Sequence, residues 1–494
     1  MSKLKLFKQF FFENRSTKQI FIKNMTWIMG GNLVSKFAKM GLIIVAARTL
    51  GPESFGIFNY IVYLLGFFFF CSDLGLITIF QREYHNPDYN PRELYNTVGN
   101  LKIMLVLSSI VISIGLYWRL EDKFWILFFL ILIWKVGENL RIVLLLKEVS
   151  NNHYQRYSLI VTAQILITSG VGVVLLTISP TLINYGLAYL IGVVGGLILL
   201  IVKYKPELPN LKYFSIPLLR DKIRPLIPPF WGLGLLSLVM DLTDVVAIKW
   251  LLGPAAVGYY VVGIKIYDIL VKLANSGFAV LYPLLSSLQD QSQKIIEITQ
   301  HILRFILLLT VPISVGGCLL AKPLIIGFFG HEYEASIDCM QVLILLLPVF
   351  LIANNISTAL YTLKLEQQSF KISLVVALIN VVLNILFILK WGIVGAAIGT
   401  LSAKVVQVLL GTGIIYIKNK EWLFSRQGVG GLIIANSGMA SLVYYMTQFK
   451  INVFLIVGSG AIIYFGVLLL LRNKDINWVL SLIKKKANEF QQAR

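Results

Sequence analysis

The chain has 494 residues, of which 57% are hydrophobic and 14% are charged, and its formal net charge is +20. So apolar a composition excludes an ordinary soluble domain and predicts an all-α polytopic membrane protein. Most Lys and Arg residues lie in the termini and in alternate loops, a pattern that is typical of the positive-inside rule and argues against nucleic acid as a partner.

The N-terminal segment, residues 1–24, mixes Lys and Arg with Leu and Phe and has no uncharged core of the kind found in signal peptides. We interpret it as a basic interfacial segment. Apolar runs follow that are long enough to cross ~30 Å of hydrocarbon at ~1.5 Å per residue. They predict fourteen transmembrane helices, at 25–48, 56–80, 98–118, 124–146, 158–178, 182–202, 229–252, 256–282, 302–329, 338–362, 372–389, 392–416, 428–447 and 452–471.

A repeated Leu-Gly-Pro motif divides these helices into two related halves. Gly51 and Gly75 align with Gly253 and Gly277 at a constant offset of 202 residues. Since each half has six helices, an even number, the two copies should insert in the same direction. The predicted domains are an N-lobe of helices 1–6 (25–202), a basic cytoplasmic linker (203–228), a C-lobe of helices 7–12 (229–416), helices 13–14 (428–471) and a basic cytoplasmic tail (472–494).

Ionisable residues inside the apolar runs are the strongest functional signal, because a charge at mid-bilayer costs at least ~2.5 kcal/mol and usually faces a partner or water. The residues that we predict to bind substrate are Asn32, Lys36, Lys39, Lys265 and Lys272. The carboxylates that we predict to couple transport to H⁺ or Na⁺ are Asp73, Asp241, Asp244 and Asp268. The secondary cavity candidates are Lys135, Glu138, Arg141 and Lys404.

Two interpretations of these charges stay open: structural ion pairs between helices, or the walls of a hydrated cavity. Glu138 and Arg141 are an expected internal pair, whereas Lys102, near the end of a helix, is interpreted as an anchor that snorkels. Away from helix ends, seven cations stand against five carboxylates. This balance favours an anionic cargo such as a pyrophosphate over a cationic drug.

Three motifs carry a resemblance to a known family: ARTLGPESFGIF at 47–58, SDLGL at 72–76 followed by QRE at 81–83, and WGIVGAAIGT at 391–400. With them, the chain resembles the Wzx-type polysaccharide repeat-unit flippases of O-antigen, capsule and exopolysaccharide assembly, within the multidrug/oligosaccharidyl-lipid/polysaccharide exporter (MOP) superfamily. The resemblance implies two lobes around a central cavity that is lined by helices one, two, seven and eight.

The resemblance also implies a function, the transfer of an undecaprenyl-pyrophosphate-linked oligosaccharide from the inner to the outer leaflet of the bacterial cytoplasmic membrane. The implied partners are this lipid-linked sugar, membrane lipids, a polysaccharide polymerase and glycosyltransferases. No phosphate loop, acid–base constellation or metal-ligand spacing is evident in the sequence, so no cofactor, metal or enzymatic activity is expected. The alternatives are an ion-coupled multidrug exporter of the same superfamily and a membrane polysaccharide polymerase.

Topology is directly testable, because both basic termini are expected in the cytoplasm and an even number of spans joins them. In a background with serine at Cys71, Cys318 and Cys339, cysteines at Glu53 and Ala255, next to the two Leu-Gly-Pro turns, should react with an impermeant maleimide in intact cells. A cysteine at Lys212 should react only after permeabilisation. The reverse pattern would contradict this orientation.

Overall fold

The computed structural model describes residues 17–117, 124–278, 291–424, 429–449 and 451–471, and within these ranges the chain forms helices and no β-strand. The predicted all-α membrane class is confirmed. In chain order, the α-helices of the described residues are α1 (Thr17–Cys71), α2 (Leu76–Glu83), α3 (Pro91–Tyr117), α4 (Trp125–Ser150), α5 (Tyr154–Ile178), α6 (Leu182–Tyr204), α7 (Ile227–Leu252), α8 (Pro254–Phe278), α9 (Ser292–Leu319), α10 (Ala321–Phe329), α11 (Ser336–Thr362), α12 (Glu366–Asn419), α13 (Val429–Thr447) and α14 (Val453–Leu470).

Two of these helices are long enough to cross a membrane twice. α1 kinks at Gly51 (φ 71°, ψ 169°) and α12 at Gly392 (φ 60°, ψ −140°), and a backbone of this kind is accessible chiefly to glycine. By length and composition, nine of the described helices qualify as membrane spans, α1 and α12 among them. With α4, α7 and α13 as further crossings, the described helices accommodate the fourteen predicted spans.

Some helix ends differ from the predicted ones. α1 begins at Thr17 rather than at residue 25. The predicted run 302–329 is two helices, because α9 begins at Ser292 and ends at Leu319, and α10 follows it. Hydropathy marks the apolar stretch but not the polar turns of helix that extend beyond it, so α9 starts earlier than its apolar stretch does.

The glycine of each Leu-Gly-Pro turn has a positive φ angle. Gly253, between α7 and α8, has φ 92°, so both motif glycines lie at positive φ. The second matched site differs between the copies, because Leu74 (φ 49°) and Gly75 (φ 72°) break the helix before α2. The aligned residues Asn275–Phe278 instead continue α8. Only the first copy therefore has a discontinuous helix at this position.

The chain forms two compact units, residues 1–246 and 247–494, and the division falls inside α7. In the first unit α5 packs against α1 and α6, and α6 also packs against α4. In the second unit α11 packs against α8, α9 and α12, and α13 packs against α14 and α9. The six-plus-six division of helices stays a prediction.

Glycine allows close approach where backbones meet. A Cβ built on Gly31 of α1 would lie 2.1 Å from the Ser158 hydroxyl of α5. Cβ atoms on Gly395 and Gly399 would lie 1.9 Å from the Phe387 carbonyl oxygen and 2.2 Å from the Asn384 side-chain oxygen. The glycine-rich motif at 391–400 thus lets the two halves of α12 pack closely after the kink at Gly392, as small residues four apart do in membranes.

The kink at Gly51 predicts a specific sensitivity to substitution. Gly51→Ala should lower the free energy of unfolding by about 1–3 kcal/mol, because alanine is strained at this backbone conformation. Gly41→Ala is the matched control, since Gly41 lies in the same helix and a Cβ there would have nothing within 4 Å. Thermal denaturation of purified protein in detergent checks both, and equal melting temperatures for the two variants would contradict the role of Gly51.

Candidate functional site

The charged face of α1 is set by how α1 packs on α5. Ser158 donates a hydrogen bond to the Trp27 carbonyl (2.7 Å), and Ser35 donates one to the Thr162 hydroxyl (3.3 Å). These contacts fix the rotation of α1 about its axis. At 100° per residue, the face that carries Lys36 then lies about 90° around the helix from the face that contacts α5.

Asn32, Lys36 and Lys39 share that face. Asn32 and Lys39 are exposed, and Lys36 is half-buried. Phe37, which is 76% exposed, lies about 130° away around the helix. Phe37 therefore points away from the lysines, whereas the exposed Leu33 lies about 60° around the helix from Lys36.

The charged stripe of α8 is similarly turned away from its packed side. Gly263 approaches α11, where its Cβ would lie 3.3 Å from the Leu343 side chain. Lys265, Asp268 and Lys272 lie on the opposite side of α8, at spacings of three and four residues. Lys265 and Asp268 are half-buried and Lys272 is exposed, with its ammonium 3.8 Å from the Asp268 carboxylate. This pair is loose and its side chains are 59% and 35% exposed, so neither group is sealed inside the protein.

Asp73 lies in the break between α1 and α2 and is paired with a buried lysine. Its carboxylate accepts a hydrogen bond from the Lys102 ammonium of α3 at 2.8 Å, and the Lys102 side chain is 3% exposed. The interpretation of Lys102 as a snorkelling anchor was therefore wrong, because its head group is turned inward to a carboxylate. Sequence reasoning missed this partner, because the predicted span began at residue 98 and put Lys102 near its end, whereas α3 begins at Pro91.

The α4 cluster pairs differently from the expected way. Lys135 donates to Glu138 at 3.1 Å and lies over the Trp134 ring at 4.2 Å, whereas Arg141 was the expected partner of Glu138. The Arg141 side chain is buried, and its Nε and Nη1 atoms make no hydrogen bond to any residue that the structure describes. Lys135 is thus neutralised, and Arg141 is the cation of this cluster without a carboxylate partner among those residues.

The remaining predicted positions are spread over both units. Asp244, on α7 in the first unit, is buried, and the side chain of Asp241 lies outside the described residues. Lys404, on α12 in the second unit, donates to the Gln407 side chain at 3.0 Å and lies over the Phe350 ring at 5.5 Å. These two contacts place the Lys404 ammonium beside the Gln407 amide and the Phe350 ring.

A polar group that the sequence analysis did not predict lies at the closely packed part of α12. Asn380 and Asn384 are fully buried, Asn384 donates to the Asn380 side-chain oxygen (3.1 Å), and Asn380 donates to the Thr400 hydroxyl (3.2 Å). Two asparagines four residues apart in an otherwise apolar run were the signal for it. Buried amides in a membrane helix must be hydrogen-bonded, so this network fixes the register between the two halves of α12.

Comparison with known proteins places this arrangement among membrane transporters. A model of the family described as "Polysaccharide biosynthesis protein" matches residues 21–289. The chain is 26% identical over 236 residues to a probable flippase, AglR, of Haloferax volcanii, and the match covers 46% of this chain and 49% of AglR. The chain thus spans about half the length of this curated relative.

Solved structures share the fold. A lipid II flippase MurJ in an inward closed conformation superposes with a TM-score of 0.74 at 17% identity, covering 92% of this chain and 99% of that one. An inward-facing multidrug resistance MATE family transporter of the MOP superfamily superposes with a TM-score of 0.59 at 16% identity, covering 78% and 96%. At these identities the likeness shows the fold of the superfamily.

The Asp73–Lys102 pair yields a testable prediction about stability. Asp73→Asn should lower the free energy of unfolding by about 3 kcal/mol, because it leaves the buried Lys102 ammonium without its counter-charge. Adding Lys102→Met to Asp73→Asn should recover most of the loss, since no buried charge then remains. Thermal unfolding in detergent measures the series.

The matched control is Asp221→Asn, which removes the carboxylate from the exposed Arg220–Asp221 pair. Exposed pairs contribute little, so this variant should unfold like the wild type. Equal melting temperatures for Asp73→Asn and Asp221→Asn would contradict the assignment of Lys102 as a buried, paired cation.

Proposed function

Because the chain belongs to the polysaccharide biosynthesis protein family, we propose that it is a flippase for an undecaprenyl-pyrophosphate-linked oligosaccharide repeat unit. It carries the head group from the cytoplasmic to the outer leaflet of the bacterial cytoplasmic membrane by alternating access. The observation that carries the proposal is the orientation of Lys36, Lys39, Lys265 and Lys272 on faces of α1 and α8 that are distinct from their packed faces.

The physical task sets what the protein must provide. Moving sugar hydroxyls and a pyrophosphate through hydrocarbon without a protein has a very large free-energy cost, whereas the apolar polyprenyl tail is soluble in hydrocarbon. The protein therefore needs a polar, cationic path for the head group alone. Lysine ammoniums on α1 and α8 are suited to hold the pyrophosphate, and Asn32 offers an amide for hydrogen bonds to its oxygens.

Carboxylates on neighbouring helices are the proposed coupling groups for H⁺ or Na⁺. Asp73 is the weaker of them, because the buried Lys102 ammonium holds its carboxylate at 2.8 Å, whereas the Lys272 ammonium lies 3.8 Å from Asp268. Asp241 stays a candidate coupling group because it lies three residues before Asp244 in the same helix. Asp244 is buried inside the protein, where a bound cation would be shielded from the surroundings, and this supports such a role.

An ion-coupled multidrug exporter is the second candidate, and the fold that the chain shares with a MATE family transporter favours it. The charge balance distinguishes the two functions. Lys135 and Asp73 are each held in a pair, and the predicted span at 25–48 contains Lys36, Lys39 and Arg48 but no Asp or Glu. A surface with more cations than carboxylates repels a cationic drug and attracts a pyrophosphate.

The proposed role is transport and not catalysis, in line with a relative named as a flippase. The proposed setting is the cytoplasmic membrane with both termini inside, where the positive-inside pattern of the loops places them. Polysaccharide polymerase and glycosyltransferases are the proposed partners, because they would consume and supply a lipid-linked repeat unit.

Reconstituted proteoliposomes test the function. A fluorescent undecaprenyl-pyrophosphate oligosaccharide should become accessible on the opposite leaflet with wild-type protein, and the Lys36→Ala, Lys265→Ala double variant should slow this transfer at least ~tenfold, as expected for two charge-assisted contacts of over ~1 kcal/mol each. Lys322→Ala is the control, because its side chain is 66% exposed and pairs with Glu334 at 3.5 Å.

Wild-type transfer by the double variant would remove these lysines from the mechanism. Efflux of a lipophilic cation by the wild type, without transfer of the lipid-linked sugar, would replace the proposal with the multidrug function. A polymerised sugar product would indicate the polymerase.

A further inference from the structure

The segment between α6 and α7, residues 205–226, is clamped onto the first unit by three consecutive residues of α3. The Tyr95 hydroxyl donates to the Glu207 carbonyl (2.5 Å), the Asn210 N–H donates to the Asn96 side chain (2.7 Å), and the Ser215 N–H donates to the Thr97 hydroxyl (3.1 Å). All three α3 side chains are buried. The segment therefore has a defined position on the protein and a defined outer side.

The inner side of this segment completes a hydrophobic core. Ile223 is fully buried and belongs to a cluster that includes Leu76, Phe80, Leu94 and Leu146. Polar contacts add to the docking, because the Lys222 ammonium donates to the Asp88 carbonyl at 2.6 Å. Residues 205–226 are thus part of the folded unit, and their exposed side chains have defined positions on its surface.

A further ion pair at this segment depends on pH. The Lys147 ammonium, 2.5 Å from the Glu207 carboxylate, holds the pKa of that carboxyl below its ordinary value. A carboxyl with a lowered pKa stabilises the docked form above its ordinary pKa, and this contribution is lost as the pH falls through the lowered value. The Lys147–Glu207 pair is therefore charged and intact at neutral pH.

The outer side combines exposed aliphatic and basic side chains. Leu208, Leu211 and Ile216 are 66%, 65% and 66% exposed. Six cations stand against two carboxylates between residues 203 and 224, and Lys205 and Lys212 among them are exposed. Large aliphatic groups beside Lys and Arg are typical of protein segments that lie at the head-group level of a membrane.

The apolar part of this surface continues from a membrane span. Ile201 and Val202, in the last turn of α6, are 52% and 70% exposed, and the chain then enters the 205–226 segment. α6 is long and apolar enough to cross a membrane. The exposed aliphatic groups of the segment therefore begin where the lipid-facing side of α6 reaches the membrane surface.

A cleft of about 640 Å³ lies between this segment and the start of α3. Arg92 is a positively charged residue that lines the cleft, and its guanidinium lies 4.3 Å from the centre of the Tyr213 ring. The first N–H groups of α3 are already satisfied, since those of Arg92 and Glu93 donate to the Asn90 side chain at 3.0 and 3.4 Å. An anion at this cleft would thus be held by the Arg92 side chain and not by the helix terminus.

We propose that the outer side of residues 205–226, together with Arg92, binds anionic phospholipids of the surrounding bilayer. Lys205, Lys212 and Arg92 contact the phosphate groups, and Leu208, Leu211 and Ile216 insert among the upper acyl carbons. The occupant is the bilayer's own anionic lipid because the surface is continuous with α6, carries excess positive charge and is rich in exposed aliphatic groups. This binding is independent of the transported substrate.

Native mass spectrometry of the purified full-length protein tests the proposal. After exchange into micelles with equal amounts of phosphatidylglycerol and phosphatidylcholine, the wild type should retain phosphatidylglycerol preferentially. The triple variant Arg92→Gln, Lys205→Gln, Lys212→Gln should lower the retained phosphatidylglycerol-to-phosphatidylcholine ratio at least ~tenfold, because each cation near an anionic surface strengthens binding roughly fivefold.

The matched control is Lys294→Gln, Lys371→Gln, Lys418→Gln, which removes three exposed lysines of the second unit that are predicted to lie on the same side of the membrane. It should retain the wild-type ratio. A second variant, Leu208→Ser, Leu211→Ser, Ile216→Ser, should reduce retention of both lipids while the protein remains monodisperse.

An unchanged phosphatidylglycerol ratio in the Arg92 triple variant would overturn the proposal. So would an equal loss in the control variant, because general surface charge would then explain the binding. Retention of neither lipid by the wild type would also overturn it and would indicate that another protein covers this surface.

Discussion

A charge at the depth of the hydrocarbon needs a counter-charge or water, and this constraint governs how the polar residues of the chain are arranged. Asp73 and Lys102 satisfy it as a buried pair at 2.8 Å, and Lys135 and Glu138 as a pair within α4. The lysines of α1 lie on a face apart from Phe37, the most exposed large apolar residue of that helix. The two pairs stabilise the fold, and the direction of the lysines is the basis of the proposed contact with an anionic head group.

Glycine geometry makes this arrangement possible. Gly51 and Gly253 have positive φ at the two Leu-Gly-Pro turns, and each turn directs the helix that follows it back across the membrane. Gly31 brings α1 against the hydroxyl groups of α5, and that close contact sets which side of α1 carries Lys36. The direction of the α1 lysines thus depends on the close packing of α1 against α5 and on the backbone conformation of the glycines.

Much of the fold could be predicted from composition and periodicity. The apolar runs predicted fourteen spans, including an interruption between 25–48 and 56–80 where the structure has the kink at Gly51, because hydropathy is a local signal. The break between α9 and α10 was missed although Lys322 and Pro323 follow it directly, because both residues lie inside an otherwise apolar run. The family suggested by the motifs is confirmed.

Pairing inside the membrane was harder to predict, because it depends on tertiary contacts. Glu138 has a cation three residues away on either side, and only the packed structure selects Lys135 over Arg141. Lys102 looked like an end anchor because its position near the start of the apolar run says nothing about a carboxylate on another helix. The Asn380–Asn384 network depends on the fold of α12 back onto itself, which no single run reveals.

The most direct test of the central claim is the access of water to the lysine faces. In a background with serine at the three native cysteines, single cysteines at Lys36, Lys265 and Phe37 would be treated with a charged, membrane-impermeant thiosulfonate in proteoliposomes. The account predicts fast modification at Lys36 and Lys265 and slow modification at Phe37, because only the lysine faces contact water. Equally slow modification at all three positions would contradict it.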